Sequence, residues 1–476
     1  MTDKRPFNLT AHERLHEPRL RFGSAADTDV DVHPLRGLLH YGPYSQNWIA
    51  GVPEQVRIAM IGQQRMIFRM GKLLRELESN LHPREGVSYR PVFEGMSKTF
   101  GVKPVSAGTA SEIVLPDSLT NDVLGAEKPY LILADTLHRA IAQLKATRND
   151  FDIVFVGIDA TWEPAFVERD EEDFDLHDYL KAVGASMGIS VQLIRSDKAL
   201  NYPCRASVMW RLSIALYTKA GGVPWVLEDV HPQTAFIGID YAMRRAGDDA
   251  PRFAICCAQV FDAEGSGLEF IAYKADDVRV YGDNPYLNHA QMLKIITRSL
   301  TIYQRKHGGD LPNRVVIHKN TPFRDEEIDG CMNAFGAVDS IELIQVQRDS
   351  GWRGYRLNEK QKVAGYPVER GSLMPIGPHE ALLWSSGDLP EMASQGRNYF
   401  KEGKGTPEPL LITRHVGRGD FRDVCRDTLS LTKMDWNNDG PYNGMPVTLN
   451  YAGRLAQIVK RIPNLRPHPY PIRLFM

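Results

Sequence analysis

The sequence predicts an α/β protein of two domains, one over about residues 1–222 and the other over 223–476. In the first half, short apolar runs alternate with amphipathic segments, an order that implies a parallel sheet with helices on both faces. From Ala235 onward three consecutive strand-like runs break that alternation. A chain of 476 residues is also long enough to bury two or three sizeable cores.

Residues 1–55 are rich in Pro, Gly and His with little periodicity, and read as extended segments and turns packed over a domain. Val56–Gly62 is a short apolar run closed by glycine, and Met66–Leu77 repeats apolar residues at helical spacing. The unit recurs with Tyr130–Ala134 as a strand, Thr136–Leu144 as a helix and Ile153–Ile158 as a strongly apolar strand. These units make the first domain Rossmann-like. Asp159 ends the last of them, a position for a catalytic carboxylate or, more simply, for a turn cap.

In the second domain, Ala235–Ala242, Arg252–Phe261 and Leu268–Tyr273 are three strands in succession, with Glu264–Gly267 as the tight turn between the last two. Leu293, Ile296, Leu300 and Tyr303 mark a long helix that Gly308-Gly309 terminates. Arg314–Lys319 is a strand, Asp325–Ala334 a helix and Ser340–Gln347 a strand. Three antiparallel strands followed by helix, strand, helix and strand is the order of the ribonuclease H fold.

Composition excludes several classes. Apolar content of 43%, charged content of 24% and 9% aromatics describe an ordinary globular chain. The five cysteines show neither CxxC pairing nor zinc spacing, and Cys256-Cys257 lies in an apolar run, which suggests a reducing cytoplasm. No apolar run approaches the roughly 20 residues of a spanning helix, so no membrane role is expected. Net charge is −2, yet residues 401–476 hold 12 Lys and Arg against 7 Asp and Glu, enough to line a channel with positive charge.

The sharpest constellation runs from His177 to Gly222. If Leu176–Val183 is helical, His177 and Lys181 share one face. Gln192 leaves a short apolar strand, and Lys219 the end of the helix Val208–Tyr217. Four such donors suit a terminal phosphate, which offers several acceptor oxygens and nearly two negative charges. A surface helix with local ion pairs accounts for His177 equally, since acidic residues surround it from Glu168 to Asp178.

His177-x-x-x-Lys181, Gln192 and Lys219-Ala-Gly-Gly-Val-Pro-Trp resemble the 5′-phosphate pocket of the MID domain of Argonaute proteins. The lead-in Gly37-Leu-Leu-His-Tyr-Gly-Pro-Tyr44 is similar to that preceding MID in prokaryotic members. Val315–Lys319 and the stretches Leu431–Asn437 and Met445–Leu455 resemble the PIWI domain. With no PAZ or N domain before it, the chain resembles a short prokaryotic Argonaute: a Rossmann-like MID domain followed by an RNase H-like PIWI domain.

The resemblance implies roles for particular residues. His177, Lys181, Gln192 and Lys219 would bind the guide 5′-phosphate, with the terminal carboxylate of Met476 fixing Mg²⁺ there. A docked apolar chain end accounts for Pro471–Met476 as well. Arg414, Arg418 and Arg422 would approach the guide or target backbone; as bare sequence they form a solvated basic loop. Asp240 matches the first acid of the family's two-metal nuclease site, but Asn320 and Gly453 stand where an acid and an Asp or His are expected. Glu369 is the one candidate for a glutamate finger. The expectation is therefore no catalytic residue, with Asp240 a remnant. An active two-metal nuclease using Asp240 with Asp325 or Glu369 is the alternative, and an assembly subunit that never holds a guide is another.

The resemblance also implies partners. A 5′-phosphorylated guide, of RNA, would recognise complementary single-stranded DNA of invading plasmids or phages. Output in prokaryotic immunity would then lie in a heterodimer partner carrying an APAZ region fused to a sirtuin-like, TIR or nuclease domain.

Overall fold

The computed structural model describes residues 12–23, 28–45, 52–84, 90–168, 174–244, 253–262, 267–275, 278–282, 284–336, 338–360, 362–363, 367–392, 405–438, 440–460 and 470–476. Two compact units emerge. One holds Leu20–Val226, Trp436–Asp439 and Arg454–Met476; the other holds Met1–Arg19, Leu227–Asp435 and Gly440–Gly453. The expected division at residue 222 is linear, whereas the compact units exchange the two ends of the chain.

In the first unit, β1 (Gln55–Gln63), β2 (Lys103–Ser106), β3 (Glu112–Leu115), β4 (Ile153–Ile158) and β5 (Ser190–Arg195) form a parallel sheet. Its order is β5-β4-β1-β2, with β3 also beside β1. All six residues of β4 are buried, as befits a central parallel strand covered on both faces. Its helices include α1 (Gln64–Glu76), α2 (Pro129–Gln143), α3 (Leu176–Ser186) and α4 (Arg205–Lys219). Leu133, Leu137 and Ile141 of α2 pack with Val154 and Val156 of β4 and with Leu180 and Val183 of α3. Each such side chain contributes roughly 1.5–3 kcal/mol on burial.

Two expectations fail here. Tyr130–Ala134 is the first part of α2, not a strand. Pro129 occupies the start of the helix, and Tyr130, Leu133, Ala134, Leu137, Ala140 and Ile141 are buried at a spacing of three and four. Pro34–Tyr41 is a helix within the stretch expected to be extended; His33 caps it, its Nδ1 accepting from the backbone of Leu35 and Arg36. A histidine cap is an uncommon start signal.

In the second unit, β6 (Thr234–Arg244), β7 (Phe253–Phe261) and β8 (Gly267–Ala275) are antiparallel. Then come α5 (His289–Lys306), β9 (Arg314–Lys319), α6 (Asp325–Ala334) and β10 (Ser340–Gln347), with β9 parallel to both β6 and β10. The run β8-β7-β6-β9-β10 is the ribonuclease H sheet, as expected. Three further strands extend it, β11 (Ser372–Gly377), β12 (Glu380–Leu383) and β13 (Leu410–Val416): β13 lies beside β10, β12 beside β13, and β11 between β12 and a two-residue strand at Glu13–Arg14, nine strands among the described residues. Helix α7 (Phe421–Leu431) follows, and α8 (Val447–Val459) belongs to this unit as far as Gly453. Gly308 and Gly309 end α5 with φ of 63° and 100°, values that glycine adopts without strain. The expected turn at Glu264–Gly267 falls largely outside the described residues. Among those described, no helix is long and apolar enough to cross a membrane.

Candidate functional site

The lysines of the expected phosphate pocket converge. Asp175 caps α3 by accepting from the Asp178 N–H at 3.1 Å, which sets the helix so that His177 and Lys181 share a face. Lys219 is the last residue of α4, where a helix C-terminus favours a cation. Both lysines are buried, 5% and 3% exposed. Lys181 donates to the Phe475 carbonyl at 2.8 Å, and Lys219 donates to the oxygen of Met476. The turn Ile472–Leu474 that delivers these oxygens packs on α3, α4 and β5. Met476 and Phe475 are themselves buried, with the Tyr470 ring edge-on to Phe475 at 5.9 Å.

Gln192 lies half-buried on β5, its amide donating to the Leu193 carbonyl at 3.4 Å. His177 is partly exposed and contacts Asp178 at 3.1 Å. Burial lowers its pKa, Asp178 pulls the other way, and Lys181 and Arg454 lower it further. Burial brings the Lys219 ammonium down to about 7, with Arg454 adding to the shift. Arg454 joins this set with no sequence signal of its own. It stands inside the Met445–Leu455 stretch, but nothing in its spacing ties it to Lys219. Four cationic or potentially cationic groups thus share one region, an arrangement that an anion would relieve.

The ribonuclease H positions also converge. Asp240, on β6, accepts from its neighbour's backbone at Tyr241 (2.8 Å) and from the Asn320 amide at 3.1 Å. A Cβ at Gly453 would stand 2.5 Å from Asp240 Oδ2. The close packing of α8 on β6 causes this: at Gly238 even a Cβ would meet the Thr448 carbonyl at 2.1 Å. Burial raises the Asp240 carboxyl, against the two hydrogen bonds it accepts. The three positions therefore offer one carboxylate, one amide and one backbone hydrogen. Next to them, Lys319 and Glu327 form a fully buried ion pair at 2.5 Å, with Tyr286, Phe323 and Tyr241 rings about the ammonium at 4.7, 5.3 and 5.5 Å.

Glu369 is held by Arg14 at 3.1 Å and Arg356 at 3.2 Å, and Asp325 opens α6. Arg414 turns inward to Glu342 at 2.9 Å and over the Phe421 ring, Arg422 pairs with Glu13 at 2.8 Å, and Arg418 is exposed. Asp159 caps the turn Ala160–Ala165, accepting from Thr161 at 3.0 Å. Among the described residues, Asp175, His177 and Asp178 are the group whose ligand atoms lie within 4.8 Å of one another and could share a cation.

Residues 165–367 match the family model for the Piwi domain. No curated protein matches the sequence. Among solved structures, Aa-Ago with externally bound siRNA superposes with a TM-score of 0.63 at 16% identity, over 97% of this chain and 55% of its own. Clostridium butyricum Argonaute bound to a guide DNA and a 19-mer target DNA gives 0.63 at 16%, over 95% and 53%. Aquifex aeolicus Argonaute gives 0.60 at 17%, over 96% and 56%. The chain spans about half the length of these proteins. At such identities the likeness is one of fold.

Proposed function

We propose that this chain is a guide-binding Argonaute of the short prokaryotic class, with MID and PIWI domains and no nuclease activity of its own. The observation that carries the reading is the convergence of Lys181 and Lys219 on the oxygens of Phe475 and Met476. Both ammonium groups are buried and aimed at oxygens of adjacent residues, so a phosphate arriving there meets two cations at once. A 5′-phosphate entering there takes charge-assisted hydrogen bonds from both, with Gln192, His177 and Arg454 completing the set. Base pairing then supplies target specificity while the protein reads phosphates and duplex shape.

The guide is RNA and the target single-stranded DNA of an invading plasmid or phage. The output belongs to an APAZ-bearing effector, sirtuin-like, TIR or nuclease, in a cytoplasmic heterodimer. Arg414 and Arg422 are engaged with Glu342 and Glu13, whereas Arg418 is exposed, which makes it the best of the three arginines for a backbone contact.

Two divalent ions need several carboxylates at close range. Asp240 with Asn320 and Gly453 provides one. The expected result with a 5′-phosphorylated guide, a matched target and Mg²⁺ or Mn²⁺ is no cutting. Guide-dependent cleavage that disappears in Asp240→Ala would overturn this half of the reading.

One oxygen of Met476, the residue expected to fix Mg²⁺, already receives Lys219. The lysines supply the positive charge instead, so EDTA should leave guide affinity unchanged; loss of binding in EDTA would restore the metal. Acidity is the sharper control. The free Lys219 ammonium titrates at about 7, and a phosphate favours its charged form. Affinity should therefore fall as pH rises above 7, by up to about tenfold per unit. Below about pH 6 the phosphate itself takes up a proton and loses charge. Filter binding from pH 5 to 9 should peak between 6 and 7, and a flat profile would remove Lys219 from the pocket.

A further inference from the structure

A cavity of about 780 Å³ opens where β1 ends and α1 begins, lined by Gln63, Gln64, Arg65, Phe68, Asp117 and Thr120. Nothing in the guide-binding reading uses it. From β1 the sheet runs to β2 and β3 on one side and to β4 and β5 on the other. The cavity thus lies at the carboxyl end of the strand bordering the reversal of strand order, where open α/β sheets receive ligands.

Its chemistry adds independent signs. α1 is 13 residues long, with no side-chain cap on its first N–H groups and no acid in its first turn, so its positive end is uncompensated. Phe68 is 60% exposed, with the Lys72 ammonium 4.4 Å from its ring centre, and Arg65, Lys72 and Arg75 are exposed along the same helix. Gln63 is only 3% exposed, yet its amide oxygen has no hydrogen-bond partner. Its amide nitrogen reaches the Pro116 and Asp117 carbonyls and the Thr120 hydroxyl at 3.3–3.5 Å. A buried acceptor left in that state gains from any donor a ligand brings. Asp117 is exposed just beyond β3, the neighbouring strand, where a carboxylate in mononucleotide-binding sheets takes a ribose hydroxyl.

We propose that this crevice binds a nucleoside phosphate. The phosphate sits on the α1 N-terminus with Arg65, the base lies on Phe68, and Asp117 accepts from the sugar. Gln63-Gln64-Arg65 stand where a glycine-rich turn would bring a phosphate against the backbone, so the phosphate lies further out and the arginine supplies charge. Arg65 also pairs with Asp159, but it is largely exposed, and such a pair is easily redirected. This proposal does not rest on the guide-binding reading.

Equilibrium dialysis tests it with labelled AMP, ADP, ATP and GDP, and with a single-stranded oligonucleotide lacking a 5′-phosphate. The proteins are the full chain and its Lys181→Ala/Lys219→Ala form. Mononucleotide should bind both equally, and on the unaltered chain a saturating 5′-phosphorylated oligonucleotide should not displace it. Arg65→Ala, Phe68→Ala and Asp117→Asn, all at exposed positions, should each weaken binding about tenfold or more, the loss of one good contact, with unchanged thermal melts. If only the oligonucleotide binds, with the same sensitivity, the occupant is a nucleotide within a strand and the site stands. Three outcomes overturn it: binding indifferent to the three substitutions, mononucleotide displaced by the phosphorylated oligonucleotide, or no binding of either probe at millimolar concentration.

Discussion

Replacing Lys181 and Lys219 together by alanine should abolish discrimination between 5′-phosphorylated and 5′-hydroxyl oligonucleotides. Each lysine contributes a charge-assisted hydrogen bond of about 1.5–3 kcal/mol, equivalent to roughly 10- to 150-fold in affinity. The double variant should therefore lose on the order of 10²- to 10⁴-fold for the phosphorylated strand, with coupling between the pair setting the exact figure. Filter binding with matched strands reads the effect directly. Lys219→Met removes a buried, destabilised charge but also the donor to the Met476 oxygen, so thermal melts run beside the binding assay separate loss of binding from loss of fold. A variant that still prefers the phosphorylated strand would show that the lysines only anchor the end of the chain.

The sequence makes some of this visible and hides the rest for physical reasons. α6 and β10 begin and end where expected: three acidic residues mark the first turn of α6, and Ile341, Leu343, Ile344 and Val346 give β10 an apolar run. The ribonuclease H order is legible since few folds place three long antiparallel strands ahead of a helix, strand, helix and strand. The start of α2 misleads because Tyr130–Ala134, taken alone, is an apolar run as good for a strand as for a helix; only the longer period through Ile141 decides. β2 and β3, four residues each, are too short to leave a pattern. Lys181 and Lys219 are legible as a pair through family wording, whereas their meeting point needs the fold, since Phe475 and Met476 lie 294 and 257 residues further on. Arg414 reads as a solvated loop residue because its partner, Glu342, is on a different strand. Long-range ion pairs of that kind leave no local trace.

The largest such pairing gives the strongest stability prediction. Glu17 lies in the polar lead-in, yet its side chain is 1% exposed. It accepts from Arg370 at 2.9 Å and from Lys433 at 2.7 Å. Lys433 also donates to the Pro18 carbonyl at 2.8 Å, and Arg370 to the Thr432 hydroxyl at 2.9 Å, with the Tyr442 ring 4.3 Å from its guanidinium. Glu17→Ala leaves two buried cations without their shared anion, and breaking a buried pair in this way costs about 3–5 kcal/mol. That is a large part of the roughly 5–15 kcal/mol typical of a folded domain, so much of the protein should become insoluble or unfolded at about 37 °C. Glu17→Gln keeps the shape and should cost less. Burial pushes the Glu17 carboxyl up, but Arg370 and Lys433 outweigh it and hold it below its ordinary value of 4.5. The folded state thus binds this proton more weakly than the unfolded chain. Its stabilisation is complete above pH 4.5 and drains away as pH falls through the depressed value. Urea midpoints measured from pH 7 to pH 3 should fall more steeply for the natural chain than for Glu17→Gln, and parallel curves would show that the two cations do not depend on this carboxylate.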